Sequence, residues 1–174
     1  MEDLKVLQNS EVIADDVWKQ VGDWDRFARD MVGKQLVRAV NSVGENIAEA
    51  YGRYHFGEKL KFLYYARGSL FETKYWLNRC QTRRLINDAQ LEKYARQLNT
   101  IGRQLNNFAN SLKSQKQGNQ KHSKQFREPQ PEYKTMSELN EPLFSDEDLS
   151  WLESISSGDE KSPISNLQSQ KYKQ

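Results

Sequence analysis

The stretch LEKYARQLNTIGRQLNNFANSL, residues 91–112, carries the most regular pattern in the chain. Leu91, Leu98, Leu105 and Leu112 recur every seven residues, and Tyr94, Ile101 and Phe108 repeat at the same interval between them. Apolar residues spaced alternately three and four apart form the seam of an α-helix that packs nearly antiparallel, at about 20°, against its neighbours. Asn87, with Gln90 three residues on, offers a capping box at the start of this helix, which is expected to run to about Lys116.

Three more helices are read upstream. From Glu2 to Val21, Leu4, Leu7, Ala14, Val17, Trp18 and Val21 fall at helical spacings until GDWD, residues 22–25, interrupts them. Trp24 and Phe27 are placed to close over the end of a core. A second helix is expected from Asp30, as N-cap, to about Tyr54, with Leu36, Val40, Val43, Ile47, Ala50, Tyr51 and Tyr54 on its apolar face. A third is expected over Glu58 to Thr82, after a turn at Gly57. With short connections and no strand-like alternation, the fold expected is all-α. Residues 1–116 form an up-down-up-down antiparallel four-helix bundle with coiled-coil-like packing.

The third helix is apolar on two sides. Phe62, Leu63, Ala66, Leu70, Thr73, Leu77 and Cys80 cover one, and Leu60, Tyr64, Phe71 and Tyr75 nearly the opposite one. One stripe suffices at the corner of a monomeric bundle. The second needs its own cover, for which homo-oligomerisation through Leu60, Tyr64, Phe71 and Tyr75 is the simplest source. The alternative is cover from Trp18, Trp24 or the tail of the same chain.

The overall hydrophobic share of 36 % is low because it is uneven. Residues 117–174 hold 13 apolar residues in 58 and all four prolines, too little to offset their ordering entropy. They are read as a disordered tail. Charge divides similarly: residues 1–116 hold 19 Lys+Arg against 14 Asp+Glu, and the tail holds 7 against 10. Within the body, residues 53–103 carry 11 against 4. Arg79, Arg83, Arg84, Lys93, Arg96 and Arg103 cluster around the turn between helices three and four. They suit phosphate backbones without base readout, although a solvated basic face explains them equally well. Tyr75 or Tyr94 is placed to add stacking.

One tail segment stands apart. LFSDEDLSWLESI, residues 143–155, has Ser145 as N-cap, three acids in the first turn, and Phe144 placed to staple Leu149. Leu149, Trp151, Leu152 and Ile155 complete an apolar ridge on a short acidic helix expected over 145–156. Such a motif folds on a partner or masks the basic body; the plain alternative is a solubilising tail.

Chemistry finds little footing. The chain has no Glu-x-x-His, a single cysteine on a core-facing stripe, two histidines and no phosphate-binding glycine loop, so no metal site, cofactor, small-molecule substrate or enzymatic activity is expected. No apolar run approaches the ~20 residues of a membrane span, and the acidic start lacks a signal-peptide core, so a cytoplasmic protein is expected. NIAEAYGR, residues 46–53, reads better as packing than as a site. Ala48, Ala50 and Gly52 permit close approach, as do Gly68 and Ser69 on helix three. Asn46 is placed to bridge helices, and Glu49 with Arg53 forms an i, i+4 pair. With Arg67 and Glu72 these polar residues are expected to set helix register; a binding role is the other reading.

Gln35, Arg38-Ala39, Ser42-Val43, NIAEAYGR, FLYYARGSLFET at 62–73 and WLNR at 76–79 resemble, in order, the motifs of the 23S rRNA intervening-sequence proteins. The resemblance covers about residues 1–113, with Val43 in place of the usual Ile and Ala50 in place of the usual Gly. It implies a four-helix bundle assembling into a homopentamer, and no enzyme. A related group, the accessory proteins of diversity-generating retroelements, implies RNA, DNA or a reverse-transcriptase-like enzyme as partner.

Overall fold

A computed structural model describes residues 2–122 and 142–154, with side chains over 5–115 and 142–154, and every regular element in them is helical. Four long helices, α1 (Glu2–Gly22), α2 (Lys34–Gly52), α3 (Phe56–Thr82) and α4 (Asp88–His122), precede a two-turn helix, α5 (Asp146–Glu153). Each long helix packs on its chain neighbours, and α1 closes the circle against α4.

The 91–112 seam is the centre of the core. Leu91, Leu98, Ile101 and Leu105 are fully buried, and Tyr94, Phe108 and Leu112 nearly so. They meet Ile13 and Val17 of α1, Leu36, Val40, Val43 and Ile47 of α2, and Leu63, Leu70 and Leu77 of α3 in one continuous apolar cluster. The expected capping box starts α4. Asn87 accepts from the Gln90 backbone at 2.8 Å, while the Gln90 side chain accepts from the Asn87 backbone at 2.9 Å. Polar pairs edge the α1–α4 contact, with Asn9 to Gln104 at 2.9 Å, Asp16 to Lys93 at 2.7 Å, and Gln20 to Gln90. One residue number rises as the other falls, so these two helices run in opposite directions.

The second helix begins differently from the expectation. Asp25, not Asp30, is the N-cap: its carboxylate accepts from the Ala28 N–H at 2.9 Å. The single turn Arg26–Ala28 continues into a π-helical turn, Arg29–Gly33, and then into α2. Asp30 lies inside this helical run and pairs with Lys34 at 2.9 Å. Gly33 explains the bend, because a Cβ there would sit 2.5 Å from Val21 Cγ1, so only glycine lets the turn close on α1. Trp24 is buried in this corner, whereas Phe27 is 74 % exposed. Tyr54 also departs from its assignment: α2 stops at Gly52, and Tyr54 points to solvent, 91 % exposed.

Of the tail, residues 123–141 and 155–174 lie outside the described residues, and with them Ile155. Of the rest, residues 117–122 continue α4 to His122, past the expected end at Lys116, and Asp146–Glu153 form α5.

Shortening Leu98 to alanine removes a fully buried side chain at the middle of the seam. Leu98→Ala is expected to cost about 2–5 kcal/mol, read as a lower urea midpoint at unchanged slope.

Candidate functional site

The most elaborated surface of the molecule is the groove between α3 and α4 that holds α5. The local sequence makes α5 helical. The Ser145 hydroxyl accepts from the Asp148 N–H at 3.1 Å while Asp148 accepts from the Ser145 N–H at 3.0 Å, a complete capping box. Asp146, Glu147 and Asp148 in the first turn face the positive end of the helix dipole. Phe144, Leu149 and Leu152 are then buried to within a few per cent, with Leu143 beside them. Burying three such side chains is worth about 1.5–3 kcal/mol each.

The groove meets this ridge feature by feature. Its floor is Phe71, stacked on Phe144 with ring centroids 5.9 Å apart and on Trp151 at 5.2 Å. Gly102 leaves the depth that the leucines need. A Cβ at that position would lie 3.0 Å from Leu149 Cδ2 and 3.2 Å from Leu152 Cδ1. Asn106 grips the chain just before the helix, accepting from the Phe144 N–H at 2.7 Å and donating to its C=O at 2.8 Å. Asn99 donates to the Leu149 carbonyl at 2.7 Å, its other amide atom held by Arg103 Nε, also at 2.7 Å. Arg67 donates to Asp148 at 2.9 Å with its guanidinium over the Phe71 and Phe144 rings. At the far end Lys74, fully buried, donates to the Ser154 carbonyl. Arg67, Phe71 and Lys74 meet α5 in rising order and Asn106 and Asn99 in falling order, so α5 runs parallel to α3 and antiparallel to α4.

These contacts revise several expected roles. Leu60 and Phe71 of the second stripe are buried within the chain, while Tyr64 and Tyr75 stay 44 % and 53 % exposed. The tail, not Trp18 or Trp24, lies on Phe71; Trp18 is 68 % exposed. Arg67, expected to set register, anchors α5 instead. Asn46 does not bridge helices, because its amide donates to Ser42 O one turn back at 2.7 Å. Glu49 and Arg53 do pair, within one helix and largely in solvent, where such pairs are worth little. The cross-helix links in that region are Arg38 to Glu72, 3.4 Å apart, and Arg53 over the Phe62 ring at 4.8 Å. Ala50 is fully buried, so its methyl is accommodated where the resemblance has glycine. Ala48 is exposed, and a Cβ on Gly52 or Gly68 would meet nothing, so these three do not mediate close approach.

The six cations divide. Lys93 is engaged by Asp16, Arg96 by Glu92 and Arg103 by Asn99. Arg79, Arg83 and Arg84 have no acidic partner among the described residues. Arg79 lies over the Tyr75 ring at 5.8 Å. Arg84 has φ +60°, and its N–H bonds to Gln81 O while that of Leu85 bonds to Cys80 O, which is the Schellman closure of a helix end. Glycine ordinarily fills that left-handed position. The sequence offered no cue to this conformation, nor to the roles of Asn99, Gly102, Asn106 and Lys74.

Cys80 is buried in the core, and desolvation, opposed weakly by Arg83, pushes its thiol up to about 12. No cluster of three or more metal-ligating side chains occurs among the described residues. No helix among them is long and apolar enough to cross a membrane.

Two outcomes test this description. The Lys93 hydrogen bond holds the Asp16 carboxyl below its ordinary 3.8, so the pair stabilises the fold above that value and its contribution is lost as pH falls below it. Lys93→Met should therefore flatten the acid limb of a stability-against-pH curve. Asn106→Ala removes two hydrogen bonds to Phe144, and amides of 146–154 are expected to exchange about tenfold faster by mass spectrometry, with α1–α4 protection unchanged.

Comparison with known proteins adds one match. No curated protein and no solved structure gives a significant one. Residues 2–107, more than half of the chain and all of α1–α3, match the family described as 23S rRNA-intervening sequence protein, while α5 lies beyond the matched region. By that match over more than half of its length, the chain belongs to the 23S rRNA-intervening sequence protein family.

Proposed function

We propose that α1–α4 form an antiparallel up-down-up-down four-helix bundle that assembles with copies of itself. In this reading it acts as a non-enzymatic scaffold, binding RNA, or an enzyme working on nucleic acid, through the cationic end at the α3–α4 turn. The observation that carries this reading is Arg84. An arginine in a left-handed position costs about 1–2 kcal/mol relative to glycine, and strain of this kind is retained where a side chain is needed. It stands beside Arg83 and Arg79, none of the three paired with an acid among the described residues, and beside the exposed Tyr75. A hollow of about 560 Å³ adjoins them, with Arg84 and one acid, Asp88, among its lining residues. Repeated around an oligomer, this end makes a multivalent phosphate-binding surface. Exposed Tyr64 and Tyr75 on α3 supply apolar surface for assembly, and a homopentamer follows from the resemblance to the family. The buried Cys80 thiol, held protonated, supports a role without nucleophilic chemistry.

A second reading, a protein-assembly scaffold whose acidic tail recruits a partner, draws support from the capped helix that residues 145–153 form. In that reading Phe144, Leu149, Trp151 and Leu152 must first leave the groove.

Arg84→Gly separates function from folding. It is expected to raise stability by about 1 kcal/mol while weakening binding of a labelled RNA measured by anisotropy. Wild-type affinity should fall steeply between about 50 and 200 mM salt, and Arg83→Glu with Arg84→Glu should abolish it. Binding indifferent to salt would overturn the reading. Light scattering should give a mass several times the 20.4 kDa of one chain.

A further inference from the structure

We propose that the α3–α4 groove is a recognition site for a short acidic amphipathic helix of a partner protein, and that α5 is its resident competitor. The polar contacts are those of a reader. Four of the groove's hydrogen bonds involve main-chain atoms of the segment: one that Asn106 accepts from Phe144 and one that it donates back, one from Asn99 to Leu149, and one from Lys74 to Ser154. Main-chain contacts are indifferent to sequence, so any helix entering the groove along the same path satisfies them. Side-chain demands are few. They are an apolar residue at the position of Phe144 and an aromatic one at 151, both over Phe71, a capping Ser at 145, an acid at 148 for Arg67, and apolar residues at 149 and 152 over Gly102. The ligand pattern is apolar, Ser/Thr/Asp, any, any, acid, apolar, any, aromatic, apolar.

Charge selects the same class. Residues 142–154 hold Asp146, Glu147, Asp148 and Glu153 and no Lys or Arg, and they meet Arg67 through Asp148 and Lys74 through the Ser154 carbonyl. Lys74 meets a carbonyl at the C-terminal end of α5, where the helix dipole is negative. The apolar floor of Phe71 and Gly102 is matched to leucine side chains and not to a phosphate backbone. This separates the groove from the Arg83–Arg84 end, and the inference stands independently of the function proposed there.

Competition follows from the tether. The 19 residues between His122 and Pro142 span at most about 65 Å, whereas the way back from His122 to the level of Asn106 is about 24 Å. The segment can leave and return without disturbing α4, and tethered ligands of this kind act at roughly millimolar effective concentration. A partner helix enters when it outbinds that internal ligand or when α5 is held elsewhere.

The full-length Leu149→Asp/Leu152→Asp chain has the groove vacated. A fluorescein-labelled peptide of residues 142–155 should bind it in the micromolar range and bind the wild-type chain at least 100-fold more weakly. Adding Gly102→Leu should cost at least tenfold, and Arg83→Glu/Arg84→Glu should change nothing. A second peptide, with Asp146→Glu, Glu147→Asp, Ser150→Ala and Trp151→Phe, should bind within about threefold of the first. If the Asp pair lowers helical content by circular dichroism, Phe144→Ala/Leu149→Ala vacates the groove instead. Equal binding to wild-type and vacated chains, failure of the second peptide, or displacement of the first by an RNA oligonucleotide would each overturn the proposal.

Discussion

A helix with apolar residues on two opposite sides has to be covered twice, and the arrangement of this protein follows from how α3 meets that demand. One side, from Leu63 through Leu70 to Cys80, goes to the core shared with α1, α2 and α4. On the other, Leu60 joins the same core and Tyr64 and Tyr75 stay exposed, while Phe71 is covered by thirteen residues from far along the chain, folded around two helical turns. Once α5 lies there, Arg67 and Lys74, which edge the stripe, change character. They become the walls of a groove, one held by a carboxylate and the other fully buried against a carbonyl. Leaving either without its partner at such depth is costly, so the apolar stripe and its polar edges hold the segment together.

The helices were largely legible in the sequence because their signals are periodic and local. The Leu91–Leu112 seam, the Asn87–Gln90 box and the Ser145–Asp148 cap depend on spacings of three, four and seven, which one chain displays by itself. What escaped is what depends on a neighbour. Asp30 has the chemistry of an N-cap, but Gly33 packing against Val21 draws the helical run back to Asp25. Asn46 borders an apolar face, yet its own helix satisfies it. Gly102 looks like a liability in the middle of a helix until the leucines of α5 are seen above it. Asn99 and Asn106 look like ordinary surface amides for the same reason. The need to cover Phe71 could be read from the pattern on α3, whereas the choice among a second copy, a tryptophan and the tail rests on geometry between distant segments.

The two candidate surfaces divide the cations of the body between different tasks. Arg67, Lys74 and Arg103 are spent on a peptide, directly or through Asn99. Lys93 and Arg96 neutralise Asp16 and Glu92. What remains at the α3–α4 turn is small, Arg79, Arg83 and Arg84, but it is concentrated at one end of the molecule. A surplus of positive charge counted along residues 53–103 is therefore a poor guide to the affinity of one subunit for a polyanion. In the proposed assembly copy number would matter more, since three cations repeated around it would act together.

Asp148 bears on how α5 behaves when it is away from the body. A single oxygen, Oδ2, accepts both the Ser145 N–H that closes the cap and the Arg67 guanidinium that anchors the helix. Eight residues are too few to remain helical alone in water, so undocking and unwinding are one event. A released segment is then a loose acidic thread, which has to rewind its Ser145–Asp148 turn each time it docks on Arg67.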